Sequence, residues 1–420
     1  MSHCQLPSLI DNETYYIQTI KWLNEYGYVK GLANLHLFLG QQSPWHVLQA
    51  GLNLRFVTSS VNDLNGFILI LFAWYILQEH RKKSSSGWFT YTFLLLPLLF
   101  LFADAPSPDL PVVIFCTIAF YTISHQQEDK HAFMIACILI LFAVYIKITL
   151  APILVMILLY QKKLKRYYML IAGVVVPLAV LWLARNYLVT GHSLYPFVMP
   201  ELAAPWAVPQ EIIEGIHQSS NAYVYNTVSV HFMEKIKNWL FSGSIKSMLN
   251  IAVSFLFLFA PLLKVVRRRY LKIYIALLVQ FIALLFISPQ LRFMLPSIVF
   301  LSAVVAYGFF NWIRVCPSYT VMLAVTGVLL LPAIFLPSGS FTSLTPMPST
   351  RFPNQKYNRQ KLGNIFFYSP VGKGFIYFTG DGSLPCVNVK QIDYIQRKYG
   401  YVPRLAGSDL SSGFISEKVQ

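Results

Sequence analysis

Asp11 and Glu13 stand two residues apart at the head of the stretch DNETYYIQTIKWLNEYGYVKGLANLHLFLGQQSPW, which runs from Asp11 to Trp45. A positioned carboxylate can take the proton from an attacking hydroxyl. Asp11 is the first candidate for such a base, with Asp109 and Glu13 as the alternatives. Three cations interrupt otherwise apolar sequence: Lys147, Arg185 and Arg292. Arginine offers phosphate a bidentate fork and lysine a point charge. These three are therefore read as a clamp that holds a phosphate or pyrophosphate and stabilises it as it leaves. Asn34, His36, Asn186 and Tyr195 are the neighbouring polar and aromatic side chains read as substrate-binding. The structural alternative for each charged residue is a side chain snorkelling at a helix end.

These residues must be held by elements that the composition defines. The chain has 420 residues, of which 56% are hydrophobic and 12% charged, whereas a soluble domain carries roughly 25% charged residues. That deficit, with repeated long apolar runs, predicts a polytopic α-helical membrane protein. The net charge of +16 suits an anionic surface; its placement between apolar runs points to membrane lipids and not to nucleic acid. Five cysteines (Cys4, Cys116, Cys137, Cys316, Cys386) have neither paired nor zinc-like spacing. No metal site is assigned, although a divalent ion on Asp11, Glu13 or Asp109 stays open. Residues 1–47 hold neither a signal-peptide pattern nor a spanning run.

Within residues 1–63 an amphipathic helix is expected from Tyr15 to Tyr26, broken by Gly27 and Gly31, with Asn34 and His36 in the turn that follows. Residues 64–337 read as a bundle of about ten transmembrane helices, several of them shorter than a standard span. The sixth is expected to end at Arg185-Asn186, and a long polar loop at 186–247 interrupts the bundle. Its Tyr223, Tyr225 and Trp239 are candidates for stacking on a sugar. Lys and Arg cluster in alternate short loops, at Arg81–Lys83, Lys162–Arg166 and Lys264–Lys272. By the positive-inside rule those loops are cytoplasmic, which puts both termini and the 186–247 loop outside. Residues 338–420 turn rich in Pro, Gly, Ser, Asn and Tyr and read as a small external α+β tail, in which the runs Asn364–Tyr368 and Gly374–Phe378 are expected to pair as strands.

In that arrangement Asp11, Asp109, Lys147, Arg185 and Arg292 fall on one side of the membrane. The same residues carry a resemblance. The D-x-x-x-Y-Y pattern at Asp11–Tyr16 with its IKWLNEYGYVKGLANLH continuation, SPD at Ser107–Asp109, the Lys147 break between short spans, ARNYLVTGHSLYPF at Ala184–Phe197 and SPQLRFMLP at Ser288–Pro296 together resemble the GT-C glycosyltransferases. The match looks closest to an uncharacterised bacterial group of GT-C-like membrane proteins. The resemblance covers most of residues 11–313. It implies transfer of a sugar from a polyprenyl-phosphate donor to an envelope acceptor at the outer face of the bacterial cytoplasmic (inner) membrane. Asp11 then matches the acidic base of the first loop, Asp109 the acid of the next external loop, and Arg185 and Arg292 positions near the donor phosphate. Two departures accompany it: no transmembrane helix precedes Asp11, and Tyr16 stands where relatives carry His.

Two rival classes remain on the sequence. One is a transporter or flippase of a lipid-linked or anionic solute, which calls for charges within spans and inverted repeats. The other is a catalytically inactive envelope-assembly protein. The discriminating geometry is whether the acids and cations meet around a single cavity.

Overall fold

Apolar runs too long for a soluble core decide the architecture. The structure, a computed structural model, describes residues 9–53, 64–82, 87–125, 129–160, 168–199, 203–229, 231–314, 319–335, 350, 352, 354–372 and 374–419. The fold is mostly helical. Four helices are long and apolar enough to cross a bilayer: Ile171–Thr190, Ile245–Leu262, Val266–Ile287 and Leu295–Trp312. Only 11% of the first is buried. Val176, Leu181, Met248, Leu258, Phe286 and Trp312 all point outward. A soluble monomer rarely exposes so continuous an apolar belt, and the chain is membrane-associated.

The apolar run that opens the bundle lies in the helix Leu64–Lys82, and others form shorter helices, Gly87–Phe100, Asp109–His125, Lys130–Ile146, Ile148–Leu159 and Thr320–Leu330. Identifiable breaks keep them short. Residues Gly87–Leu95 wind as 3₁₀ before the short α-helix Leu96–Phe100, which carries Pro97 in its first turn. Lys147 adopts an extended backbone at the end of Lys130–Ile146, and Pro152 lies within the 3₁₀ segment Ile148–Leu154 that follows. The bundle core is aromatic: Phe89 stacks on Tyr121 at 4.0 Å, and Trp88 meets Phe300 edge-on at 4.8 Å.

One expected boundary moves. The sixth apolar helix runs from Tyr168 to Thr190 and does not end at Arg185. Thr190 donates its hydroxyl to the Asn186 carbonyl, and Gly191, at a φ of 78° that suits glycine, ends the helix. Arg185 and Asn186 thus project from a rigid last turn and a half. The 186–247 region is itself largely helical, over Gln210–Tyr225 and Phe232–Phe241.

The N-terminal segment is buried, not a solvated cap. A π-turn at Asn12–Tyr16 leads into the helix Ile17–Glu25, which ends before Gly27 (φ 71°). Tyr16, Ile17, Ile20 and Trp22 are all buried. They share a core with the C-terminal segment, where Trp22, Leu32 and Leu35 meet Ile365, Phe367, Val387 and Phe414. The C-terminal region contributes two antiparallel hairpins, β1 (Tyr357–Leu362) with β2 (Ile365–Pro370) and β3 (Tyr401–Leu405) with β4 (Phe414–Lys418), and the helix Val389–Tyr399. Its α+β character agrees with the sequence, but the strand partner does not. Residues 374–378 form no strand; β2 pairs instead with the polar strand β1 across the Gly363-Asn364 turn, where Gly363 has a positive φ.

The two ends of the chain interlock at Gly31. Its φ is 60°, its amide donates to the Leu188 carbonyl, and Phe414 donates its amide to the neighbouring Lys30 carbonyl. A Cβ at Gly31 would overlap the Phe414 carbonyl. The described N-terminal and C-terminal segments therefore pack together against the end of the helix Tyr168–Thr190.

Candidate functional site

Asn65 and Ser43 set the frame. The Asn65 amide nitrogen lies 3.0, 2.7 and 2.9 Å from the carbonyls of Phe102, Ala105 and Ser107, while its oxygen accepts from Trp45 Nε1 at 2.8 Å. This holds the loop that delivers Asp109. Ser107 Oγ then bonds the Asp109 carboxylate at 3.1 Å and accepts from its amide at 3.2 Å. Ser43 opens the helix Pro44–Gly51 with a capping box and donates its hydroxyl to the Ile146 carbonyl at 2.9 Å. The N-terminal segment is thereby fastened to the break that carries Lys147.

Four charges from distant stretches meet on this frame. Lys147 forms an ion pair with Asp109, and Arg292 forms one with Asp11. Both cations lie near the Phe293 ring, Lys147 Nζ at 4.3 Å and Arg292 Cζ at 5.3 Å from its centroid. Arg292 is further set by a 2.9 Å bond from its Nε to Gln290. Burial alone would weaken its hold on the proton, but Asp11 and then Asp109 more than offset this and push it above the ordinary arginine range. Tyr16 reaches Asp11 with its hydroxyl at 3.4 Å. Burial raises the Tyr15 and Tyr16 phenols well above their usual range, with the nearby carboxylates adding to the effect, so both stay neutral.

Beside the pairs lies a cavity of about 220 Å3. Lys147, Arg185, Asn186, Tyr195 and Arg292 line it, together with Tyr15, Tyr16, Gln42, Thr149 and Trp182. Arg185 is the unusual member. It is 8% exposed and donates from Nη2 to Asn186 Oδ1 at 3.1 Å, yet its Nη1 has no hydrogen-bond partner and no carboxylate faces it among the described residues. A buried charge without a counter-charge costs several kcal/mol, and a buried donor left unpaired costs about 1–3 kcal/mol. An anion in the cavity would remove both costs. Asn186 is held in turn by the Ser193 and Tyr195 carbonyls at 3.3 and 3.5 Å.

An apolar groove adjoins this cavity. Leu141, Val144, Leu154, Val175, Leu178 and Ala179 line it, and it shares Ile148 and Trp182 with the polar cavity. Leu178, Trp182 and Arg185 follow one another at helical spacing along Tyr168–Thr190. A single helix face therefore passes from apolar groove to buried cation.

Other expected site residues lie elsewhere. Glu13 is buried against the C-terminal region, accepting from Thr350 Oγ1 at 2.6 Å while its carbonyl receives the amides of Thr379 and Gly380. Asn34 bonds the carbonyls of Gly31, Trp206 and Phe414 and accepts from Ser416. His36 is fully buried, with Nε2 3.1 Å from the Tyr377 carbonyl. These three join the two ends of the chain and do not line the cavity: Thr350 and residues 377–380 cover Glu13 and His36, and β4 covers Asn34. The long-loop aromatics lie away from this cavity as well. Tyr225 donates to the Leu285 carbonyl at 2.7 Å, Trp239 donates to that of Pro289 at 3.0 Å, and Tyr223 sits outside under Lys246.

Sequence reasoning passed over Gln42, Thr149 and Trp182. Uncharged polar residues carry no signal in a hydropathy pattern. Trp182 could have been found from its spacing three residues before Arg185. Among the described residues no three His, Cys, Asp or Glu side chains converge as a metal site would require.

The fold and the site define a class: a helical membrane-associated protein in which charged side chains from distant stretches gather at and beside one cavity. The chain belongs to the family described as "Domain of unknown function (DUF8201)", whose model matches residues 1–299. That span contains all the cavity residues named above and leaves out the C-terminal hairpins. No curated protein and no solved structure matches the chain.

Proposed function

We propose that this protein is a GT-C-like membrane glycosyltransferase that moves a sugar from a polyprenyl-phosphate donor to an acceptor of the cell envelope. The observation that carries the reading is Arg185, a buried guanidinium without a counter-charge among the described residues, in a cavity it shares with Lys147 and Arg292. The adjoining apolar groove supports a lipid-linked anion over a soluble one.

In this reading the donor phosphate lies against Arg185, with Lys147 and Arg292 completing the clamp and the prenyl chain leaving along the groove. The acceptor hydroxyl oxygen attacks the anomeric carbon of the sugar. The bond from that carbon to the phosphate oxygen breaks, its electron pair leaves with the phosphate, and the acceptor proton passes to Asp11. Arg292 links the two halves of the reaction. Asp11 is held by Arg292 in the resting site; as the phosphate draws Arg292 toward itself, the carboxylate is released to face the acceptor hydroxyl. Asp109 remains the partner of Lys147 and holds it in place.

The shorter apolar helices are then further membrane segments, thin enough in places to bring water to the charges. The loop charges orient the bundle with both termini outside, in a bacterial cytoplasmic membrane. Membrane vesicles given a labelled polyprenyl-phosphate sugar and an envelope acceptor test the proposal. Asp11→Asn should abolish transfer with the fold intact; undiminished transfer by that variant would remove Asp11 from the role. Movement of the intact labelled lipid across the bilayer without transfer would favour a flippase.

A further inference from the structure

Gln42 has no part in the reaction as proposed. It is 4% exposed, lines the same cavity as Arg185, and neither its Oε1 nor its Nε2 has a hydrogen-bond partner among the described residues. Thr149, another lining residue, has an unpartnered Oγ1. The backbone next to Gln42 is not free to adjust, since Ser43 is tied to Ile146 and capped onto the helix Pro44–Gly51. Gln42 thus places a buried carboxamide in the cavity wall, with a donor and an acceptor both unused among the described residues.

The chemistry of the two orphaned groups differs. The free guanidinium N–H of Arg185 needs only an acceptor, which a phosphate oxygen supplies. A carboxamide needs both an acceptor and a donor. An ionised phosphate offers acceptors alone and would leave Oε1 unsatisfied. A hydroxyl accepts from Nε2 and donates to Oε1. Other unpartnered buried atoms, such as Trp22 Nε1 and Tyr270 Oη, lie outside the cavity wall and say nothing of its ligand.

We infer that Gln42 recognises hydroxyl groups on the bound anion, so that the cavity selects a phosphate carrying a sugar over a bare lipid phosphate. The inference rests on the phosphate-binding reading of Arg185 and adds a specificity-determining residue to it.

The test uses the full chain in lipid nanodiscs, titrated with farnesyl phosphate and with farnesyl phosphate bearing a hexose, and read by tryptophan fluorescence, since Trp182 lines the cavity. The wild type should bind the glycosylated probe about tenfold more tightly, because a site built to bond a hydroxyl penalises its absence. Gln42→Leu should lower that preference to about twofold or less while holding the affinity for farnesyl phosphate, since the lost bonds belong to the hydroxyls alone. Arg185→Gln should weaken both probes. Gln42→Met replaces Gln42→Leu if the latter fails to fold. A preference that survives the loss of the Gln42 amide overturns the inference and leaves the phosphate reading standing. Absence of binding by either probe, or binding indifferent to Arg185→Gln, overturns both.

Discussion

Asp11 and Arg292, 281 residues apart in the chain, form an ion pair beside the cavity. The pair joins the N-terminal π-turn to the short 3₁₀ segment Leu291–Phe293 between two long apolar helices. It therefore acts both as a tether and as a store of charge for the site.

The tether has a measurable strength. Each side chain is partly exposed, at 34% for Arg292 and 19% for Asp11, so solvent screening reduces the coupling. A double-mutant cycle of Asp11→Asn and Arg292→Gln, read by thermal unfolding in detergent, should give a coupling energy of about 1–2 kcal/mol. Strict additivity would mean that the pair does not hold the two segments together.

Asn65 carries no charge, yet it binds three loop carbonyls and Trp45 while fully buried. Asn65→Ala should cost about 2–4 kcal/mol, since several buried polar groups lose their partner at once. Binding of a phosphate probe should fall with it, because the loop bearing Asp109 is released. Unchanged binding in a folded variant would show that this loop is held by other contacts.

Gly31 tests the joint core of the two chain ends. Gly31→Ala meets both the left-handed backbone and the Phe414 carbonyl and should cost about 2–4 kcal/mol. Limited proteolysis should then cut first around β3 and β4. Protection equal to wild type would place the C-terminal segment's stability elsewhere.

His36 and His46 predict an acid-sensitive fold. Burial lowers His36 to about 4 and His46 to about 3, against about 6.5 in the unfolded chain. Between those values the unfolded state binds more protons than the folded one, so stability rises with pH through that window and is complete above it. Acidification from pH 7 toward pH 4 should remove up to about 3 kcal/mol through His36 alone. The melting temperature of His36→Gln should depend less steeply on pH between 7 and 4.5. Parallel curves for variant and wild type would assign the acid sensitivity to other groups.

What the sequence determined by itself was local. Apolar runs such as Leu295–Trp312 identify bilayer-crossing helices because hydropathy sums over neighbours along the chain. Lys147, Arg185 and Arg292 drew attention because a charge amid apolar sequence is costly and so marks a site or a helix end. Tertiary structure decided which of these charges find partners. Asp109 pairs with Lys147 and Asp11 with Arg292, while Arg185 meets no counter-charge among the described residues. Glu13, Asn34 and His36 stood among the site candidates in the sequence but are bonded to the C-terminal segment. Gln42 gave no sign, because the meaning of an amide depends on whether its hydrogen bonds are met. Pairing, burial and satisfaction are properties of surfaces brought together from distant stretches, and no one-dimensional pattern encodes them.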